Sequence, residues 1–463
     1  MLNNLRHPAY LKFATTCLAG AFVAIAAAPT VADEQFAPTT VVQLPDSQIL
    51  SAFDISFVER GSNTFALASS RVVGSGGAFG TIIIVNTDLN VVTKELIATP
   101  AFVGDCTVPP VRNNYSGPNG VIVIEKGRNT DVWAGDGPVF NTPCVPASGL
   151  KTPSTVKVLD LHTGATKAVI ETGNGKPGTL GIRRADELCY NPVSDVVLVA
   201  NDDPLDNFIA FIGEDNYKVL QRIRFDGTDP NGDNILANGI EQCAFNPRDG
   251  KFYLNIPMTG PATATTPGDG VVVRISGHAP FHVEKVFPIS SSATGCFGPQ
   301  GMAIGPDHQI GLGCGGTNSL IIDDRDGSTI KVVAGEGGTD EAWYNPGNNH
   351  YFFARSTAAK LGVEDAGPPP SADPDAASAA GSHSVAADSR RNQVYVPIRG
   401  NNGTVPPSTT GKICSSAKDV FGNPGSDALG CIAVYTAPSD NDDCRAGGAS
   451  AFFRGRCPAA TNK

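Results

Sequence analysis

A short pattern recurs along this chain at irregular spacing, and it constrains the fold more than any other feature. ADELCYNP at 185–192 and TDEAWYNP at 339–346 are plainly related, and IEQCAFNP at 240–247 is a third copy. FDISFVER at 53–60, PNGVIVIE at 118–125, PQGMAIGP at 299–306 and SHSVAADS at 382–389 are weaker copies, which makes seven. Each is followed by a second strand-like run, among them DVVLVANDD, KFYLNIP and HYFFARS, across a turn such as NPRDGK or NPGNNH. Turn residues of this kind between apolar runs read as hairpins. A third run often follows, such as FIAFIGED or GVVVRISG, and then a more polar fourth such as TKAVIETG.

Four antiparallel strands per unit and seven units predict an all-β, seven-bladed β-propeller. An eight-bladed or two-domain arrangement is the rival reading. Composition agrees: 52 Gly and 35 Pro in 463 residues, with 17% charged residues, suit a turn-rich β protein and not a helical bundle. The expected domain spans 33–437. Blade two is expanded, and Val41-Val42-Gln43-Leu44 is expected to supply the missing outer strand of the last blade, removing a free sheet edge. Gly367–Ala380 reads as a flexible stretch in or after blade six, and 400–416 as an insertion in blade seven.

Residues 1–32 read as a signal peptide. Arg6 and Lys12 precede an apolar Phe13–Ala28 segment, and Thr30-Val31-Ala32 places a cut before Asp33. A retained N-terminal anchor is the alternative. The predicted location is periplasmic or secreted. Ten cysteines remain after cleavage, with no CxxC, and an even number in an exported chain predicts disulfides. The strand map pairs Cys106–Cys144, Cys296–Cys314, Cys189–Cys243 and Cys414–Cys431, and leaves Cys444–Cys457 to staple a C-terminal tail, 438–463. The net charge of −11 becomes −13 once Arg6 and Lys12 leave, and no basic run occurs. That argues against nucleic acid and anionic membranes as partners. A monomer is expected, with a small-molecule substrate or ligand.

The opening residue of each innermost strand should reach the mouth of the axial channel. That column reads Asp54, Asn119, Asp186, Glu241, Gln300, Asp340 and His383, with Glu187 and Glu341 one step along. Converging carboxylates must take up protons, be solvated or be compensated by a cation. An oxygen-rich cage suits Ca²⁺ or Mg²⁺, and the imidazole leaves Mn²⁺, Fe²⁺ or Zn²⁺ open. A wet polar funnel without a specific ion is the alternative. His383 is the one histidine in the column and a candidate acid or base. His162, His278, His282, His308 and His350 fall in turns and are expected in solvent. Arg71, Arg355 and Arg399 fall in loops on the same face and could orient an anionic substrate.

The NP-turn-strand units, such as NPRDGKFYLNIP and NPVSDVVLVAND, resemble the YVTN-type repeat propellers of exported bacterial proteins. The polar ring resembles that of the gluconolactonase and streptogramin-lyase propellers. That resemblance implies a divalent cation held by a subset of Asp54, Asn119, Asp186, Glu241, Gln300, Asp340 and His383. It makes His383 the proton-transfer candidate, with Asp186 and Glu241 as further catalytic candidates. Two functions are therefore expected from different classes. One is an exported metal-dependent hydrolase or lyase acting on a small ester or lactone. The other is a non-catalytic propeller that binds a ligand or protein and carries a structural cation.

Overall fold

The structure is a computed structural model and describes residues 35–45, 48–72, 78–106, 115–127, 129–145, 148–173, 184–202, 207–261, 269–401 and 412–437. The expected signal peptide and the tail with Cys444 and Cys457 lie outside the described residues, as does most of the blade-seven insertion.

Seven sheets of antiparallel strands form the predicted propeller. Blade one comprises Ile49–Glu59, Thr64–Val72, Ala78–Asn86 and Val91–Leu96, hydrogen-bonded in that order. Blades three, four and five repeat this simple order, beginning with inner strands Ala185–Asn191, Cys243–Asn246 and Pro299–Ile304. Blade two is interrupted by a small hairpin, Val139–Phe140 with Leu150–Thr152, which is the expansion read from the sequence. Ala37–Gln43 pairs with Gly430–Thr436 as the outer strand of blade seven, with Val41 opposite Ala433, so the first described strand closes the circle.

The Gly367–Ala380 stretch differs from expectation. It carries the outer edge of blade six in two pieces, Ser371–Ala372 and Ala376–Ala377, both paired with Lys360–Asp365. Its acids are also anchored: Asp375 pairs with Arg355 and Lys360, and Asp373 with His350.

The core lies between blades and not within one central layer. Consecutive blades each share an apolar cluster, so that Ile122, Trp133 and Val158 of blade two pack on Leu188, Val197 and Ile212 of blade three. This explains the strand patterns. Val196–Asn201 is buried at every position because both faces of its sheet are covered, whereas the outer Lys218–Arg224 alternates toward solvent.

The NP motif has a physical role in this arrangement. The Oδ1 atoms of Asn191, Asn246 and Asn345 accept from the backbone N–H two residues on, at 2.8, 3.0 and 3.1 Å, setting the inner hairpin turn. Their amide nitrogens reach the next blade: Asn191 donates to Gly277 O, Asn246 to Asp324 and Asn345 to Asn392. One amide therefore makes the turn and joins two blades. In blade seven Asp388 accepts from Arg390 N and from Thr87 of blade one.

Four predicted disulfides form: Cys106–Cys144, Cys189–Cys243, Cys296–Cys314 and Cys414–Cys431. Cys189–Cys243 joins the inner strands of blades three and four. His350 is not in solvent. It is 3% exposed, with Nε2 at 2.6 Å from Asp373, Nδ1 at 2.7 Å from Asn348 O, and its ring against Phe36. Sequence-distant segments cover this turn histidine.

Candidate functional site

The same irregularity occurs in six inner strands where the polar column lies. In blade one Phe53 pairs with Ser69 but Ser56 with Leu67, so Asp54 and Ile55 face one residue. Asp186–Glu187, Gln300–Gly301 and Asp340–Glu341 are bulged in the same way. In blades two and four the hydrogen bonds have the same form. Asn119 N donates to Gly135 O and Gly135 N to Gly120 O, and Glu241 N donates to Asn255 O and Asn255 N to Gln242 O. A bulge bends its strand and re-aims side chains. Here it delivers the two members of each pair to two levels of the channel.

The first members lie at the upper level. Asp54, Asn119, Asp340 and His383 line a cavity of about 280 Å³ together with Phe53, Asp105, Arg184 and Arg399. Glu241 and Gln300 line another cavity, of about 400 Å³, with Asp202 and Phe297. The second members Ile55, Glu187, Gln242 and Glu341 line a separate lower cavity. Neighbouring inner strands are tied at this level by backbone bonds, Gly120 N to Asp186 O, Gln242 N to Gln300 O and Glu341 N to His383 O. Gly120 and Gly301 permit the approach: a Cβ on them would lie 2.0 Å from Asp186 O and 2.4 Å from Asp340 O.

The ring's principal counter-charge comes from a residue the sequence reading did not single out. Arg184 donates from Nε to Asp186 Oδ2 at 2.8 Å, and its Nη1 is 3.7 Å from Asp54 Oδ2. Burial works against the Arg184 charge, but Asp186, Asp54, Asp202 and Glu241 together hold it as a cation. A sequence signal for it exists. Two residues before the ring position, five repeats carry Gly (117, 239, 298, 338 and 381) and one carries Ala52, whereas blade three carries Arg184.

Titration differs around the ring. Burial pushes Asp186, Glu187, Glu241 and Glu341 well above the usual carboxylate range, and neighbouring acids add to this. Burial also raises Asp340, with His383 opposing. Burial would raise Asp54 too, yet Arg184, His383 and Arg399 outweigh it and hold that carboxyl low. Burial would lower His383, but Asp54 and Asp340 raise it above the ordinary histidine value. The His383 Nδ1 is 2.9 Å from Gly381 O and its Nε2 3.7 Å from Asp54 Oδ1. Its ring stacks on Phe53 at 4.7 Å, and the Arg399 guanidinium lies 5.3 Å from the Phe53 ring.

Of the three arginines suggested for an anionic substrate, only Arg399 lines the upper cavity. Arg71 is fully buried, bonded to Glu95 at 2.6 Å and to the carbonyls of Pro45 and Gln48. Arg355 is held by Glu336, Asp375 and Gly335 O. Arg399 has no carboxylate at ion-pair distance among the described residues.

A divalent cation of the kind the resemblance implies would need several donors facing one point. Among the described residues no group of three or more His, Cys, Asp or Glu is arranged to hold a metal ion. Arg184 bridges Asp54 and Asp186, the two carboxylates nearest to such a role. The donor set as it stands does not fit a resident divalent cation.

No family model matches the chain, and no curated protein matches it in sequence. Among solved structures, a chain of one titled "Crystal Structure of Mitotic Checkpoint Complex" is similar to it at 13% identity and a TM-score of 0.50. The match covers 82% of this chain and 95% of that one, and the likeness is one of propeller fold alone.

Proposed function

We propose that this chain is an exported propeller that holds a small hydroxylated carboxylate in its upper axial cavity. The observation that carries this reading is Arg399. Its guanidinium is at the mouth, over Phe53, without an ion-pair partner among the described residues, whereas Arg184 is committed to Asp186 and Asp54. An uncommitted guanidinium presents a planar fork to a ligand carboxylate. Asp54, Asp340, Asn119 and Ser70 line the same cavity and offer acceptors and an amide for hydroxyl groups. Four disulfides favour an oxidising compartment, in keeping with the export signal read at 1–32.

A second, catalytic reading rests on His383. One ring nitrogen meets a backbone carbonyl, the other faces Asp54, and the pair lies beside the proposed carboxylate site. Such a pair suits proton transfer in opening a lactone or small ester. In this reading the proton moves between His383 and the substrate, while Arg184 occupies the space between the Asp54 and Asp186 carboxylates.

The test is thermal shift and calorimetry with D-gluconate against the neutral polyol sorbitol. Gluconate should raise the melting temperature, and Arg399→Met should weaken its binding at least tenfold without altering the fold. Equal stabilisation by sorbitol, or gluconate binding untouched in Arg399→Met, would remove the basis of the reading. Turnover of a lactone and ester panel that is lost in His383→Gln would move the assignment to the catalytic reading.

A further inference from the structure

The lower level of the channel forms a third cavity of about 460 Å³, chemically unlike the two above it. That volume lies within the range of small-molecule sites, about 300–1,000 Å³. Its wall is largely apolar, with Phe57, Leu188, Phe245, Met302, Trp343 and Tyr344 contributed by five blades. Two carboxyls, Glu187 and Glu341, complete it at the level of the bulges.

Glu341 is only 1% exposed. Its Oε2 accepts from Ser384 Oγ at 2.5 Å and from Val385 N at 2.9 Å, which fixes the carboxyl in place. Its Oε1 is buried and has no hydrogen-bond partner of good geometry among the described residues, the Ser56 backbone N–H being the nearby donor that also favours the charged carboxyl. A buried carboxyl oxygen left unpaired is destabilising, so a site that retains one invites a donor. The charges acting most strongly on Glu187 are all acidic: Asp186, Asp54, Glu341 and Glu241. Arg184 compensates the upper level through Asp186 and Asp54, and neither lower carboxyl has an ion-pair partner among the described residues.

We propose that the lower cavity is a binding site for a small apolar amine, its ammonium donating to Glu341 Oε1 beside Glu187 and its body lying among Phe57, Phe245, Met302 and Trp343. The ammonium would supply the donor that Glu341 lacks and the positive charge that the acidic level lacks. Aromatic side chains around a cation add to its binding. This site shares no side chain with the proposed carboxylate site, so each stands or falls alone.

The two tryptophans make the test direct. Trp343 lines the cavity, whereas Trp133 is fully buried in blade two. The full-length protein is titrated with 2-phenylethylamine, 2-phenylethanol and 3-phenylpropionate, following tryptophan fluorescence and melting temperature. The amine should bind at least tenfold more tightly than the alcohol, shift the emission and raise the melting temperature, while the acid should not bind. Glu341→Gln keeps an oxygen for Val385 N but removes the carboxyl that can ionise against the ammonium, and it should weaken the amine at least tenfold. Glu187→Gln is the second variant and should weaken it in the same direction. Should Glu341→Gln fail to fold, Glu187→Gln with the three-ligand comparison still decides. No binding of the amine, equal binding of amine and alcohol, or amine binding unchanged in the folded Gln variants overturns the proposal.

Discussion

Arg184 reaches across the channel mouth to Asp54: the guanidinium enters just before the inner strand of blade three and sits 3.7 Å from a carboxylate of blade one. With the shorter bond to Asp186 it links two non-adjacent blades through charge. Removing a partly buried cation from acids that remain buried costs about 3–5 kcal/mol. Arg184→Met should therefore lower stability by about 3 kcal/mol near neutral pH. In acid below about pH 3 the raised ring acids are protonated in both states and only the lowered Asp54 still calls for the cation, so the deficit should shrink. The same variant leaves the carboxylates open to another cation. Millimolar Ca²⁺ should raise the melting temperature of Arg184→Met more than that of the wild type. Equal Ca²⁺ shifts in the two proteins would show that Arg184 does not take the cation's place.

The ring also sets an unusual pH dependence. For a carboxyl raised on folding, such as Asp186, Glu187, Glu241 and Glu341, the folded state binds more protons than the unfolded state between the two pKa values. Stability then falls as pH rises through that window. His383, also raised, contributes stability below its unfolded value of about 6.5 and loses it as pH passes the folded value. Asp54 runs the other way, since its lowered carboxyl contributes stability above about pH 4 and loses it only in stronger acid. The raised groups outnumber it. Melting temperature should therefore decline from about pH 5 to pH 8, and Glu341→Gln should flatten the decline. A melting curve flat across that range, or unchanged in slope by Glu341→Gln, would count against these shifts.

How far the sequence could be read depends on where each signal is local. The Asn-Pro repeats were legible because one amide both closes a turn and reaches the next blade, so the same residue recurs at each such turn. The polar column was legible because those turns fix the register of the strand before them. Arg184 was missed because it sits two residues outside the aligned columns, and it carries meaning only against the glycines of the other repeats. Arg71 and Arg355 were not separable from Arg399 by sequence. What distinguishes them is whether an acid from elsewhere, Glu95 for Arg71, Glu336 and Asp375 for Arg355, reaches the guanidinium. The division of Asp340 from Glu341 between two cavities depends on a bulge, which strand alternation does not reveal.

The bulged pairs themselves predict a stability effect at glycine. Gly120 does not need a left-handed backbone; it needs the absence of a Cβ, which would lie 2.0 Å from Asp186 O. Gly120→Ala must push apart the Gly120 N to Asp186 O bond between blades two and three. A loss of about 1–3 kcal/mol is expected. Gly127→Ala is the comparison, because its φ is +62° with nothing near the added methyl. It should cost about 1 kcal/mol through backbone strain alone. Denaturant unfolding of both separates crowding from conformation; a smaller loss for Gly120→Ala than for Gly127→Ala would contradict the close approach.

Asn246 tests the double use of the repeat amide. It is fully buried, its Oδ1 accepting from Arg248 N at 3.0 Å and its Nδ2 donating to Asp324 Oδ2 at 2.8 Å. Asn246→Asp keeps the turn oxygen but sets a second carboxylate against Asp324. Arg248 and His308 also hold Asp324, so its charge persists and the repulsion falls on the new residue. The variant should lose about 2 kcal/mol at pH 7. Below about pH 4 the new carboxyl can be protonated and donate as the amide did, so much of the loss should return. Asn246→Ala loses turn and inter-blade bond together, and nothing it introduces can titrate. Melting curves of both variants from about pH 3 to about pH 8 distinguish the cases. An Asp variant as stable as the wild type at pH 7 would mean that the amide nitrogen contributes nothing to joining blades four and five.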